Sequence, residues 1–249
     1  MSNWNVLAKL DPLWTILSDP QKKFGGWKPE EFFATGELEA KRVLRMCDSH
    51  GLKISYGKFL DFGCGVGRMT RAFSCYFASC TGIDVSENMV NLARDYNRER
   101  THCDFVSSQS TVLPFSDRTF DFVFSVLVLQ HLPTRGMILG FIGEFVRVAK
   151  ENGVIVFQVP IGVPLRRRIQ LRRRLWAALS FLAIPKSWLF KAGLAPIQIN
   201  GVSQQQVEEV ATSKGARVQA VERYDASEGG FHSNYYFIVK QSTSPANNK

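Results

Sequence analysis

The sequence is poor in cysteine, and its cysteines match no pattern of a metal or disulfide site. The five thiols belong to Cys47, Cys64, Cys75, Cys80 and Cys103. Their number is odd and no two are spaced as Cys-x-x-Cys, which argues against a disulfide framework and against a zinc centre. We therefore expect no metal, cysteines that pack as small apolar residues, and a reducing cytoplasmic environment.

Long apolar segments are also lacking. Residues 1–10 have neither the basic start nor the apolar run of a secretory signal, and the apolar run 175–184 is too short to span a bilayer. The 249 residues contain no internal repeat and are 45% hydrophobic, which fits one α/β domain with an added cap or insertion. These features predict a cytoplasmic protein.

Acidic residues are missing from the segment 161–200, which holds eight arginines and lysines. The rest of the chain has 23 basic and 22 acidic residues, so the net charge of +9 belongs to this segment. A charge confined to one segment does not form the basic groove of a nucleic-acid-binding fold, and we expect no nucleic-acid partner.

The most informative positive feature is the stretch 60–68, Leu-Asp-Phe-Gly-Cys-Gly-Val-Gly-Arg. An apolar run with Asp61 leads into glycine at every second position, a pattern typical of a tight turn from a strand into a helix. A ligand can approach the main chain there, and the N–H groups at the helix start can bind an anionic group. Arg68 stands where a dinucleotide-binding fingerprint has its third glycine, which disfavours a nicotinamide-dependent oxidoreductase.

A second acidic residue, Asp84, ends the next apolar segment. Two acids placed in this way suit a ligand that has an amino-acid part and a ribose. Further motifs follow in order at 113–115 (Leu-Pro-Phe), 119–125, 128–132, 144–148 with 152–153, and 233–237. With these motifs the chain resembles the class I S-adenosylmethionine-dependent methyltransferases, in their small-molecule branch, closely over 58–160 and loosely over 203–240.

The resemblance implies an α/β fold with a Rossmann-like, mostly parallel seven-stranded sheet and helices on both faces. The alternating strand and helix patterns agree with a parallel sheet. The last two strand patterns, 217–223 and 235–240, have no helix pattern between them, so one of them should run antiparallel. Helices are predicted over 68–77 and 135–150. We expect an N-terminal helical cap or lid at 1–50, the methyltransferase domain at 51–241 with a basic helical insertion at 161–200 after strand five, and a disordered tail at 242–249.

The resemblance also implies a site for S-adenosyl-L-methionine, with S-adenosyl-L-homocysteine as product and no metal. Asp61 would accept a hydrogen bond from the amino group of the cofactor, and Asp84 from both ribose hydroxyls. The other readings of Asp84 are a helix N-cap or an acid that stabilises a turn. Family members usually carry Asp-Ala where this chain has Gln109-Ser110, a departure at the adenine edge. The expected cofactor-binding residues are Asp61, Gly63, Cys64, Gly65, Gly67, Asp84, Val85, Met89, Gln109, Ser110, Ser125 and Val126.

His131 is the candidate general base. It follows the fourth strand pattern at the expected mouth of the site, and a base is needed where the acceptor holds its proton at neutral pH. The alternative is a packing histidine without a chemical role. No Asn/Asp-Pro-Pro-aromatic motif, cysteine or acidic cluster follows that strand, which argues against base-amino, pyrimidine and catechol-type methylation.

The basic segment admits three readings. The pattern 164–184 predicts a helix with one broad apolar face that Arg168 and Arg172 interrupt. It would be a solvated helix packed on the domain, an interfacial helix on an anionic membrane through 165–184, or an arginine clamp for an acceptor with a phosphate or carboxylate. We favour the last two together, with Arg168, Arg172 and His232 as candidate substrate-binding residues and a peripheral place at the inner membrane surface.

The sequence thus predicts a cytoplasmic S-adenosylmethionine-dependent methyltransferase. Its acceptor would be the oxygen or nitrogen of a small-molecule, sugar or lipid-linked compound. The alternative from another class is a non-catalytic S-adenosylmethionine-binding regulatory or membrane-recruited partner protein.

Overall fold

A seven-stranded sheet organises the protein in the computed structural model, which describes residues 3–161, 171–182, 184–194, 199–224 and 232–242. The strands are β1 (Lys58–Phe62), β2 (Ser79–Asp84), β3 (Cys103–Ser107), β4 (Phe120–Ser125), β5 (Ala149–Pro160), β6 (Ala216–Tyr224) and β7 (Ser233–Lys240). Their spatial order is β3-β2-β1-β4-β5-β7-β6. Neighbours from β3 to β5 are parallel, and β7 is antiparallel to both β5 and β6. The predicted fold class is confirmed, including the antiparallel strand.

Helices cover both faces of the sheet. They are α1 (Asn3–Leu10), α2 (Pro12–Ile16), α3 (Pro29–Ser49), α4 (Arg68–Phe73), α5 (Glu87–Tyr96), α6 (Arg135–Val148), α7 (Leu171–Phe181), α8 (Lys186–Lys191) and α9 (Gln204–Ser213). Helices α3 and α4 pack on one face of the central strands, whereas α6 and α9 pack on the other. The described part of the chain contains no helix long and apolar enough to cross a membrane.

A cluster of aromatic side chains packs on one face of the central strands. Phe59 of β1 and Phe122 of β4 stack with ring centroids 5.9 Å apart, and Phe73 of α4 contacts both rings. These rings are fully buried. Aromatic pairs of this kind add to the free energy that area burial contributes. The carboxyl ends of β1 and β4, where the candidate ligand residues lie, are therefore held on rigid packing.

Two predicted helices end earlier than expected. The 68–77 prediction is wrong at its end, because α4 stops at Phe73 and the hydroxyl of Ser74 caps the carbonyl of Arg71 at 2.7 Å. The 135–150 prediction is wrong in the same way, because Ala149 already pairs with Phe120 of β4. Strand β5 therefore begins at Ala149, and its pairing with β4 is irregular between Phe120 and Phe122. Of the predicted helix 164–184, residues 164–170 and 183 lie outside the described residues, and Leu171–Phe181 is helical.

The short helices α1 and α2 lie over the carboxyl edge of the sheet together with α7 and α8. Leu7 of α1 is buried with Trp176 of α7 and with Leu189 and Phe190 of α8. The amide oxygen of Asn5 accepts a 2.6 Å hydrogen bond from Ser86, which follows β2. Helix α3, in contrast, packs into the main core beneath. Residues near the start of the chain and the inserted helices thus share one layer above the candidate site.

Candidate active site

The glycine loop after β1 is anchored to the end of β2. The N–H groups of Gly63 and Cys64 donate to the carbonyl of Ile83 at 2.7 and 3.1 Å. The N–H of Gly65 donates to Asp84 Oδ2 at 3.0 Å. Because β1 and β2 are neighbouring parallel strands, their carboxyl ends meet at one edge, and the loop is fixed there by the main chain of its neighbour.

Glycine is required at this loop for both conformation and space. Gly63, Gly65 and Gly67 have φ values of +77°, +54° and +82°, a region that other residues enter at a cost. A Cβ on Gly63 would lie 2.3 Å from Val128 Cγ2, and a Cβ on Gly65 would lie 2.6 Å from Ile16 Cδ1. The main chain is therefore packed as closely as glycine allows.

Asp61 is a buried carboxyl at the end of β1. Its Oδ2 accepts a 2.7 Å hydrogen bond from Thr70 Oγ1, and the residue is 3% exposed. Burial raises the pKa of Asp61 to about 6, although the Thr70 hydroxyl and the Arg68 charge oppose that shift. Asp61 therefore changes charge close to neutral pH.

Asp84 ends β2 and receives two backbone hydrogen bonds. Its Oδ1 accepts from the N–H of Ser86 at 2.8 Å, and its Oδ2 accepts from Gly65. Burial raises the pKa of Asp84, and the N–H groups of Ser86 and Gly65 act in the opposite direction. The N-cap of α5 is Ser86, whose hydroxyl accepts from the N–H of Met89, so Asp84 is not the N-cap itself.

Arg68, which follows the glycines, is buried at 6% exposure. One of its terminal nitrogens donates to Thr35 at 3.3 Å, while its buried Nε has no hydrogen-bond partner. Burial lowers the pKa of Arg68, and the charges of Glu39 and Asp61 oppose that change. From the sequence, Arg68 served only to disfavour a dinucleotide-binding fingerprint, and its burial was not predicted. The signal available was an arginine at the start of a helix whose other residues are mostly apolar.

His131 lies in a short 3₁₀ turn after β4 and ends a chain of amide side chains. Gln158 Nε2 donates to Gln130 Oε1 at 3.3 Å, and Gln130 Nε2 lies 3.2 Å from His131 Nε2. The imidazole also packs edge-on against Trp4 of α1 at 5.1 Å. Because an amide N–H needs an acceptor, this contact fits an unprotonated Nε2.

The buried amide of Gln158 also supports the strand end. Its Oε1 accepts from the N–H of Leu127 at 3.1 Å. Leu127 has φ +61°, an uncommon backbone conformation for a branched residue. Sequence reasoning did not single out Gln158 or Gln130, since nothing in the strand pattern marks a glutamine as buried.

The remaining predicted cofactor residues divide into buried and exposed groups. Ser125 is buried and donates to the carbonyl of Phe62 at 3.0 Å, and Val126 packs beside it in the core. Met89 is buried under α1 and α2. Gln109 and Ser110 are exposed in the loop after β3. Cys64 is buried with its thiol directed to the carbonyl of Gly65, and Val85 is half-buried.

Of the three candidate substrate residues, His232 is the one whose side chain the structure describes. His232 precedes β7, which β4 and β5 separate from β1, and its Nδ1 lies 2.7 Å from a terminal nitrogen of Arg223. Arg168 lies outside the described residues, and of Arg172 only the helical main chain is described. Their predicted role stays a prediction.

Comparison with known proteins gives the relatives of this chain. Residues 60–157 match the family described as "Methyltransferase domain". The chain is 36% identical over 162 residues to 24-methylenesterol C-methyltransferase 2 of Oryza sativa subsp. japonica, which covers 61% of this chain and 43% of that protein. It is 31% identical over 156 residues to demethylmenaquinone methyltransferase of Staphylococcus aureus strain MRSA252, with 61% and 56% covered. The chain thus spans about half the length of the curated relatives it matches.

A solved structure shares the fold. Magnesium protoporphyrin IX methyltransferase from Synechocystis PCC 6803, with bound SAH, superposes with a TM-score of 0.58. The two sequences are 17% identical, and the match covers 92% of this chain and 93% of the other.

Replacing Asp61 by Asn should stabilise the protein at neutral pH. The pKa of Asp61 is raised from 3.8 to about 6, so its favourable contribution is complete below the ordinary pKa and is lost as pH rises through about 6. In Asp61→Asn, the amide oxygen can still accept from Thr70 and no charge forms. Urea unfolding should show the wild type losing about 1–3 kcal/mol relative to the variant between about pH 4.5 and pH 7.5. A difference that does not change with pH would contradict the buried carboxyl.

Proposed function

We propose that this chain transfers a methyl group from S-adenosylmethionine to a small or lipid-like acceptor, because residues 60–157 match the family described as "Methyltransferase domain". The observation that carries the proposal is the pair Asp61 and Asp84 on neighbouring strand ends, with the glycine loop that follows β1 hydrogen-bonded to the end of β2. Ligands of open α/β sheets bind at this edge.

The residues present fit the cofactor. Ile16 of α2 covers Gly65 and must move aside for a ligand to reach the main chain of the loop. Each carboxylate oxygen of Asp84 can accept a further hydrogen bond beside the N–H it already binds. Asp61 is a carboxylate above about pH 6 and can then bind a cationic amino group. S-adenosylmethionine would supply an electrophilic methyl group on a positively charged sulfur. The protein's share is to hold the acceptor atom in line with that group and exclude water.

We place α1 and α2 as a lid over this site. Ile16 lies against Gly65, while Ala8 and Leu13 are buried with Val66 and Met89. The lid therefore contacts both the glycine loop and α5, where the proposed ligand would lie.

The acceptor is proposed from the relatives. The rice and Staphylococcus proteins are named as sterol and demethylmenaquinone methyltransferases, so apolar alcohols, phenols and quinols are the compounds to try first. The name of the rice relative specifies methylation at carbon, and we therefore add carbon to the oxygen and nitrogen expected from sequence.

Substituting Asp84 by Ala should abolish cofactor binding. Loss of two charge-assisted hydrogen bonds to ribose should weaken binding by about 100-fold or more. Calorimetric titration of S-adenosylmethionine and S-adenosylhomocysteine into the folded variant measures this, with exposed Asp95→Asn of α5 as the matched control. Wild-type affinity in Asp84→Ala, with a cooperative thermal transition, would refute the site.

His131 is proposed as general base, with its Nε2 giving up the contact with Gln130 in order to take the proton of the acceptor. His131→Asn should lower kcat by about 100-fold or more while leaving the affinity for S-adenosylmethionine unchanged. His50→Asn, which alters a histidine paired with Glu222 at the end of α3, is the control. Formation of S-adenosylhomocysteine in the presence of candidate acceptors measures the rate. An unchanged kcat and pH profile in His131→Asn would make His131 a packing residue.

If the wild-type protein binds the cofactor but turns it over with none of the acceptors, the alternative of a non-catalytic S-adenosylmethionine-binding regulatory protein is favoured.

The inserted helices support a peripheral contact with an anionic membrane. Phe181, Leu182 and Trp188 are 92%, 68% and 70% exposed. Arg173, Arg174 and Lys186 line a cavity of about 370 Å³ beside them, and segment 161–200 has no acidic residue. Exposed apolar side chains beside cations suit an anionic lipid surface. We propose that the cytoplasmic protein takes its acceptor from the inner membrane surface at this layer.

Flotation with vesicles tests the membrane contact. The double variant Phe181→Ser/Trp188→Ser should lose about tenfold or more of its binding to phosphatidylglycerol vesicles, since both side chains would leave the interface. Leu38→Ser, which changes an exposed leucine of α3, should float as the wild type does. Binding to pure phosphatidylcholine vesicles should be weak for all three proteins. Equal flotation of the double variant and the wild type would contradict the contact.

A further inference from the structure

Cys80 and Cys103 lie side by side near the amino ends of β2 and β3, at the opposite end of β2 from Asp84. They are direct Cα partners across the two parallel strands, so their side chains leave the sheet on the same face. Neighbouring strands lie about 4.7–4.9 Å apart, within the range of about 4.4–6.8 Å that disulfides span between Cα atoms. This strand spacing meets the Cα condition for a disulfide between the two residues.

The two thiols differ in access. Cys80 is fully buried, whereas Cys103 is partly exposed. Cys103 also lines a cavity of about 680 Å³ between β3 and the end of α5. Because Cys80 is fully buried, a reagent in that cavity reaches Cys103 before Cys80.

The cavity is strongly basic. Arg94, Arg98 and Arg100 line it, against one lining carboxylate, that of Asp104. Two of the arginines are oriented by hydrogen bonds, since Arg94 donates to the carbonyl of Phe105 at 2.6 Å and Arg100 donates to a hydroxyl at 2.9 Å. A cavity of this volume and charge suits an organic anion with more than one carboxylate.

The surroundings also make Cys103 the more acidic thiol. The pKa of Cys103 is lowered by the hydrogen bond from Cys80, and further by the Ser74 hydroxyl and by the charges of His102 and Arg100. The pKa of Cys80 is raised by that same hydrogen bond and by burial. A thiolate is the nucleophile in thiol–disulfide exchange. Cys103 is therefore the attacking thiol, and Cys80 is the thiol that resolves the mixed disulfide.

We propose that Cys103 and Cys80 form a dithiol site that reacts with an acidic low-molecular-weight disulfide bound in the arginine-lined cavity. The Cys103 thiolate attacks one sulfur of that disulfide, its S–S bond breaks, and one acidic thiolate leaves. Cys80 gives its proton to the departing thiolate and attacks Cys103 Sγ, which expels the second acidic thiolate. The small disulfide is thereby reduced to two thiols, and β2 becomes cross-linked to β3.

Oxidised glutathione, which carries four carboxylates, is the probe, and the dication cystamine is its matched control. Because Cys75 is exposed, Cys75→Ser serves as the parent protein. Intact-mass and peptide mapping should show an internal 80–103 disulfide without an adduct in the parent, and one retained tripeptide on Cys103 when Cys80→Ser is added. Adding Cys103→Ser instead should leave the protein unmodified.

The charge of the cavity gives a second readout. The parent should react about tenfold faster with oxidised glutathione than with cystamine, and Arg98→Ala should reduce that ratio by about fivefold. Cys80→Ala repeats the trapping experiment if Cys80→Ser does not fold, as judged by circular dichroism. Equal rates for the two disulfides, an adduct that persists on Cys103 in the parent, or reaction at Cys47 or Cys64 would each overturn the proposal.

Discussion

The hydrogen bonds that tie the glycine loop to the end of β2 are the constraint on which the rest of the site depends. The loop reaches Ile83 and Asp84 only because its glycines adopt positive φ. A side chain at Gly63 would collide with Val128, which follows β4. One backbone conformation thus fixes the relation of three neighbouring strands before any ligand arrives, and a site built in advance loses less entropy on binding.

Those parts of the structure that follow from local rules could be predicted from the sequence. The carboxyl ends of parallel strands meet at one edge, so Asp61 and Asp84 had to be neighbours once both strands were recognised. Ser203 and Gln206 have the spacing of a capping box, a local signal for a helix start, and both of its hydrogen bonds are present at the start of α9. Strand β1 spans Lys58–Phe62, between a polar loop and the glycine turn.

What could not be predicted depends on contacts between segments far apart in the chain. Nothing near Ile16 or Trp4 indicates that the first lies on Gly65 and the second on His131. The pairing of Cys80 with Cys103 depends on strand register, since a shift by one residue would turn the two thiols to opposite faces. The early end of α6 has the same origin, because pairing with β4 outweighs helix propensity at Ala149.

The position of β7 has a consequence for the order in which the chain folds during synthesis. Strand β5 pairs on one side with β4, but its other side waits for β7, as in the pairing of Val154 with Val239. Strand β6 is synthesised before β7, but in the described sheet it pairs with β7 and not with β5. It therefore cannot cover the free edge of β5. The long apolar edge of β5 therefore stays open until the last strand emerges, and an open apolar edge is where nascent chains associate wrongly. The nascent protein is most in need of chaperone protection in the interval between the synthesis of β5 and that of β7.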